Sequence, residues 1–85
     1  MPRVPTILWI AKLRVVIYLN DHREAHVHVI GRGCEAVFEL NCASGPVVLR
    51  ENYGFKRQEI SRIKRALNGA ISHLCEAWED IHGRA

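Results

Sequence analysis

The sequence predicts an α+β domain: an antiparallel β-meander of four or five strands over about residues 6–50, with one long C-terminal helix over about 56–82 packed on one face. Three observations predict it. Up to Leu49, short runs of β-branched and aromatic residues are separated by turn formers. After Gly54 the apolar residues step by three or four. A chain of 85 residues has room for a single core, so residues 1–85 read as one domain.

The strand runs are TILWI, LRVVIYL, AHVHVI, EAVFEL and PVVLR, and Asn20-Asp21, Gly31-Arg32-Gly33 and Ser44-Gly45-Pro46 stand between them as turns. Consecutive strands with such short connections pair antiparallel. The helix is read from Ile60, Ile63, Leu67, Ile71, Leu74, Trp78 and Ile81, one apolar stripe with Trp78 in the core and Asn68-Gly69 in its middle. Glycine costs about 1 kcal/mol there relative to alanine, so a bend or brief interruption is expected near Gly69. Phe55 reads as core and Trp9 fits either environment.

Register follows from alternation. Along Ala25 to Ile30, Val27 and Val29 point to one face and His26, His28 and Ile30 to the other; in the next run Ala36 and Phe38 share a face opposite Glu35, Val37 and Glu39. Matching the apolar sets places Val27 opposite Phe38, Val29 opposite Ala36 and His26 opposite Glu39. His26, His28, Glu35 and Glu39 then gather on the face turned away from the helix.

That gathering permits three kinds of chemistry. Imidazoles two residues apart on a strand are about 6 to 7 Å apart, close enough to share a substrate or a metal. His26, His28 and Glu39, with His22 in the preceding turn as a further nitrogen, offer the three or four ligands zinc requires. A carboxylate beside an imidazole sets its tautomer for general acid/base work, with His26, His28 and Glu39 as the catalytic set and no metal or cofactor. The third option is a half-exposed face on which histidines are merely tolerated.

Charge narrows the partners. The net charge of +3 is uneven: six of the twelve Lys and Arg lie between Arg50 and Arg65, offset there by Glu51 and Glu59 alone. Such a region suits a polyanion, and equally a solvated helix face. Arg50, Lys56 and Arg57 are the candidate phosphate-binding residues. No helix-turn-helix pattern is present, and Arg57, Lys64 and Arg65 do not read as a compact recognition surface. The apolar run Leu13 to Leu19 is broken by Arg14 and too short for a membrane span of about 20 residues. The start lacks the apolar core of a secretory signal. Cys34, Cys42 and Cys75 contain no C-x-x-C pair and are odd in number, so reduced thiols in a cytoplasm are the expectation.

The ordered set PTILWI, YLND, HVHV, E-A-x-F-x-L, N-Y-G-F, E-I-x-x-I and L-x-E-A-W resembles a family of small bacterial proteins known as domain of unknown function 4160, over roughly Thr6 to Ile81. Many members are encoded beside another small protein, an arrangement similar to toxin–antitoxin pairs. The resemblance therefore implies a protein partner. Two departures stand out: Glu24-Ala25 occupy a place where members often have two prolines, and Lys56 occupies that of a Ser or Thr helix cap. A cation there opposes the helix dipole, which makes Lys56 and Arg57 candidates for holding an anion.

The functional expectation is a component of a toxin–antitoxin-like two-protein module, acting through the product of a neighbouring gene, a homodimer, or both, with RNA or DNA as a further contact and no membrane. A small metal-independent ribonuclease using His26 and His28, and a non-catalytic nucleic-acid-binding regulator, are the alternatives. An uncovered second sheet face carrying Ile30, Val37, Val16 and Tyr18 is the expected place of association.

Overall fold

In the computed structural model, which describes residues 5–20 and 24–83, five strands form one antiparallel sheet in sequence order. They are β1 (Thr6–Ile10), β2 (Leu13–Val16), β3 (His26–Gly31), β4 (Cys34–Glu39) and β5 (Val48–Tyr53). The β3–β4 register pairs Val27 with Phe38, Val29 with Ala36 and His26 with Glu39, as alternation requires. A slip of one residue would carry Phe38, fully buried, to the histidine face.

Three boundaries differ from the sequence reading. β2 ends at Val16, before Ile17-Tyr18-Leu19. β5 lies further along, taking in Glu51, Asn52 and Tyr53, while Pro46 and Val47 belong to the loop before it. Polar residues hid it, because β5 is an edge strand with an irregular register between Val37 and Phe38 and little buried surface. The expected single helix is two: α1 (Arg57–Gly69) and α2 (Ile71–His82). At the junction the Ala70 N–H turns back to the Leu67 carbonyl at 3.0 Å, and Asn68 Oδ1 accepts from the Val47 amide at 2.8 Å. Gly69, weak in helices, sits between these two diversions.

The core lies between the helices and the sheet. Val15, Ile17, Val27, Val29, Ala36, Phe38 and Leu40 meet Phe55, Ile60, Ile63, Leu67 and Leu74, with Trp78 and Ile81 partly buried against them. The thinnest dimension, 19 Å, is that of one helix layer on one sheet. Asn52 starts the helical half: its amide donates to the Phe55 carbonyl at 2.9 Å and its oxygen accepts from the Phe55 N–H at 3.1 Å. Gly54 adopts φ +104° there, and a Cβ at that position would stand 2.9 Å from Cys34 Sγ. Replacing Phe38 with Ala is expected to cost about 3 to 5 kcal/mol in chemical denaturation; a loss under about 1 kcal/mol would mean the core is elsewhere.

The cysteines overturn one expectation. Cys42 and Cys75 form a disulfide that ties the β4–β5 loop to α2 across 33 residues, and Cys34 alone is free. Without a C-x-x-C spacing the pair leaves no mark in the sequence; it depends on α2 packing Cys75 against the core beside the β4–β5 loop. The cytoplasmic expectation, which rested on reduced thiols, loses that support. Among the described residues no helix is long and apolar enough to cross a membrane.

Candidate functional site

The face of the sheet opposite the core is ordered in cross-strand rows. Trp9, Arg14, Ile30, Glu35 and Tyr53 are successive partners across all five strands. In the neighbouring row Val16, His28, Val37 and Glu51 are partners, and beyond it His26, Glu39 and Val48. Period-two alternation puts each row on one face.

The two histidines differ in what holds them. His28 Nδ1–H donates to Glu35 Oε2 at 2.8 Å, a diagonal cross-strand pair, and this bond directs the lone pair of a neutral ring to Nε2. Nε2 itself is buried and has no hydrogen-bond partner among the described residues. Tyr18 meets the His28 ring edge-on, with centroids 4.2 Å apart. Burial, and then the Glu35 carboxylate, push the Tyr18 phenol above its ordinary value of 10, while Arg14 pulls it back. Arg14 is itself oriented by Thr6, whose Oγ1 accepts from its Nε at 3.1 Å.

His26 is only 2% exposed and donates from Nδ1 to the Glu24 carbonyl at 2.7 Å. Its ring lies 5.3 Å from that of His28 and 5.2 Å from that of Trp78, which in turn lies 4.0 Å from His82. Tyr18, His28, His26, Trp78 and His82 thus form a continuous chain of rings from the open face to the end of α2. The sequence reading placed Trp78 in the core stripe; the structure leaves it half-buried, bridging that core to His26.

Glu39 is the cross-strand partner of His26, and its carboxylate pairs with Arg50 Nη1 at 3.1 Å. The carboxylate bonded to His28 is Glu35 rather than Glu39. A shallow cleft of about 320 Å³ lies beside this end of the sheet, lined by Glu24, Ala25, Glu39, Asn41 and Cys42. Among the described residues no three His, Cys, Asp or Glu side chains converge as a metal-ligating group; His22, the further nitrogen considered from sequence, lies outside those residues.

The expected phosphate set is divided. Arg50 stands at the Glu39 end of the sheet, but Lys56 and Arg57 begin α1 at the opposite end. Glu59 in the first turn of α1 pairs with Arg32 of the β3–β4 turn, which fixes that end. From His26 to Gly31 the strand spans about 16 Å at roughly 3.3 Å per residue, so Lys56 does not join the histidines on one phosphate. Glu59 also accepts the Lys56 N–H at 3.1 Å, while the Lys56 side chain offers no acceptor to the first amides of α1. An anion at this helix start would compete with that carboxylate.

Two groups of exposed residues stand outside the histidine row. Trp9 and Tyr53, 60% and 59% exposed, stand at the two ends of one cross-strand row. The Tyr53 hydroxyl donates to Glu51 Oε1 at 2.5 Å, which, with the Glu51 charge, raises its pKa above 10. By contrast Val16 and Val37, expected to be an uncovered patch, are buried beside the histidines. On α1, Arg57, Arg62, Lys64 and Arg65 are all exposed; Glu59 between them is paired with Arg32, and no ion pair reaches any of the four among the described residues. They share the outer face because Ile60, Ile63 and Leu67 fix the inner one.

The family model described as "Domain of unknown function (DUF4160)" matches residues 13–79. The chain belongs to this family. No curated protein and no solved structure matches it. The matched region spans the sheet from β2 onward, both helices as far as Glu79, and both histidines.

Exchanging His26 for Gln is expected to lower stability by about 2 to 3 kcal/mol, because a ring buried between His28 and Trp78 is lost and a polar amide takes its place. The same exchange at His28, whose side chain is 12% exposed, should cost less, below about 1.5 kcal/mol. Urea denaturation of the two single variants checks the ordering; equal losses would contradict it.

Proposed function

We propose that this protein works by binding, as one component of a toxin–antitoxin-like two-protein module that contacts RNA with the outer face of α1 and a partner protein with the open face of the sheet. The observation that carries the reading is the α1 face: four exposed cations, with the one acidic residue of the helix, Glu59, already paired to Arg32, and no ion pair to any of the four among the described residues. A phosphate backbone met by such a face binds through counterion release, without need of a base-reading motif. The open face supplies the second contact, because Trp, Tyr and Arg are the residue types that dominate protein interfaces and Trp9, Arg14 and Tyr53 share one row.

A single experiment tests both contacts. The product of the neighbouring gene is co-expressed with this chain, and the purified material is titrated with a fluorescent single-stranded RNA. Co-purification that is lost in a Trp9→Ala/Tyr53→Ala variant, with RNA affinity unchanged, is the expected result. A chain that purifies alone as a monomer would remove the two-protein reading, and a homodimer built on the same face would replace the partner with a second copy.

The His28–Glu35 pair favours a second reading, a small metal-independent ribonuclease in which His28 Nε2 acts as the base. That atom is buried, so the face would have to open for RNA to reach it. Cleavage of RNA that persists with chelators and disappears in a His28→Gln variant of unchanged stability would establish this reading over the first.

A further inference from the structure

We propose that the cleft between the β1–β2 turn and α1 binds a medium-chain aliphatic carboxylate. The cleft has a volume of about 340 Å³, within the range of small-ligand sites. Its apolar lining residues are Ile10, Ala11, Leu13 and Ile63, of which Leu13 and Ile63 are buried and form the base while Ile10 and Ala11 stand nearer the mouth. Its charged lining is Lys12, Arg32, Arg62 and Glu59. Glu59, the one carboxylate there, is neutralised by Arg32. Lys12 on the strand side and Arg62 on the helix side carry no such partner among the described residues, so the rim has two unmatched positive charges over an aliphatic floor.

That combination selects one chemistry. No aromatic ring lines the cleft, so a nucleobase would find no stacking surface. Its polar lining residues are all charged and three of the four are cations, which favours an anion over a neutral sugar. An aliphatic chain satisfies the floor, and a carboxylate at its end satisfies Lys12 and Arg62. The volume stands at the small end of ligand sites, which suits a short chain, and octanoate is the probe of that class. This site lies beyond the RNA contact proposed above and shares only Arg62 with it.

The test is an NMR titration of the full chain with octanoate. Saturable one-to-one binding with Kd below about 1 mM is expected, with methyl shifts at Ile10, Leu13 and Ile63. Octylammonium, which matches the chain and reverses the charge, should bind at least tenfold more weakly, and so should octanoate to a Lys12→Glu variant. Lys12 is exposed and off α1, so that variant should keep its melting temperature and its RNA affinity; loss of RNA binding in Arg65→Glu should leave octanoate binding intact. No saturation by several millimolar, equal binding of octylammonium, shifts centred elsewhere, or an unchanged Kd in Lys12→Glu would each overturn the proposal.

Discussion

Reversing Arg57, Lys64 and Arg65 to Glu together is expected to weaken binding to single-stranded RNA by at least about a hundredfold. The three residues fall at positions i, i+7 and i+8, so they lie two turns apart along the outer side of α1. A unit charge about 4 Å from a phosphate in water contributes roughly 1 kcal/mol. Three lost contacts therefore amount to about 3 kcal/mol, or roughly 150-fold, before the repulsion added by the new carboxylates. All three side chains are exposed, and a Glu at position 57 suits the first turn of a helix. The melting temperature should stay within about 2 °C, and fluorescence anisotropy at fixed salt reads the affinity. A loss below about threefold would place the polyanion contact elsewhere.

Reduction of the Cys42–Cys75 disulfide is expected to produce the largest change in stability. Closing a loop of 33 residues limits the unfolded chain by an entropy equivalent to about 3 to 4 kcal/mol at 25 °C. For a domain of 85 residues, each kcal/mol shifts the melting temperature by about 4 to 8 °C. Calorimetry with and without reductant should therefore differ by roughly 15 to 25 °C, and a Cys42→Ser/Cys75→Ser variant should match the reduced protein. A difference under about 3 °C would mean that the cross-link contributes little beyond the packing of α2. The consequence for the site is direct, because the tethered helix carries Trp78 against His26.

Much of the fold was legible because alternation and helical spacing are strong where one face is buried. Val27, Val29, Ala36 and Phe38 admit one register, and that register alone brought His26, His28, Glu35 and Glu39 to one face. The choice of Glu35 over Glu39 as the His28 partner was not legible, since both carboxylates lie within reach across the strands and Arg50, from an irregular edge strand, claims Glu39. β5 itself was misplaced for the same reason: its residues Arg50, Glu51 and Asn52 carry no apolar alternation. The break at Ala70 depends on Asn68 reaching Val47, 21 residues earlier, which no local pattern records. The disulfide and the Trp78–His26 contact join residues 33 and 52 apart in sequence, which no local pattern records either.

The basic face of α1 shows the opposite case. Its residues were evident in sequence as a cluster between Arg50 and Arg65, yet which of them act together depends on the partners that Arg32 and Glu39 provide. Glu39 takes Arg50, and Glu59 turns to Arg32 on the far side of the helix start. What remains outward is Arg57, Arg62, Lys64 and Arg65.

The salt dependence of RNA binding tests the central claim most directly. Four phosphate contacts to a single strand predict a slope of about −3 in log K against log salt, which amounts to roughly a fiftyfold loss between 50 and 200 mM. Anisotropy titrations of the unaltered protein over that range should give this slope, and the α1 charge-reversal variant, which keeps Arg62, should give one no steeper than about −0.7. A slope near zero in the unaltered protein, or the same slope in both, would contradict the assignment of α1 as the RNA-binding face.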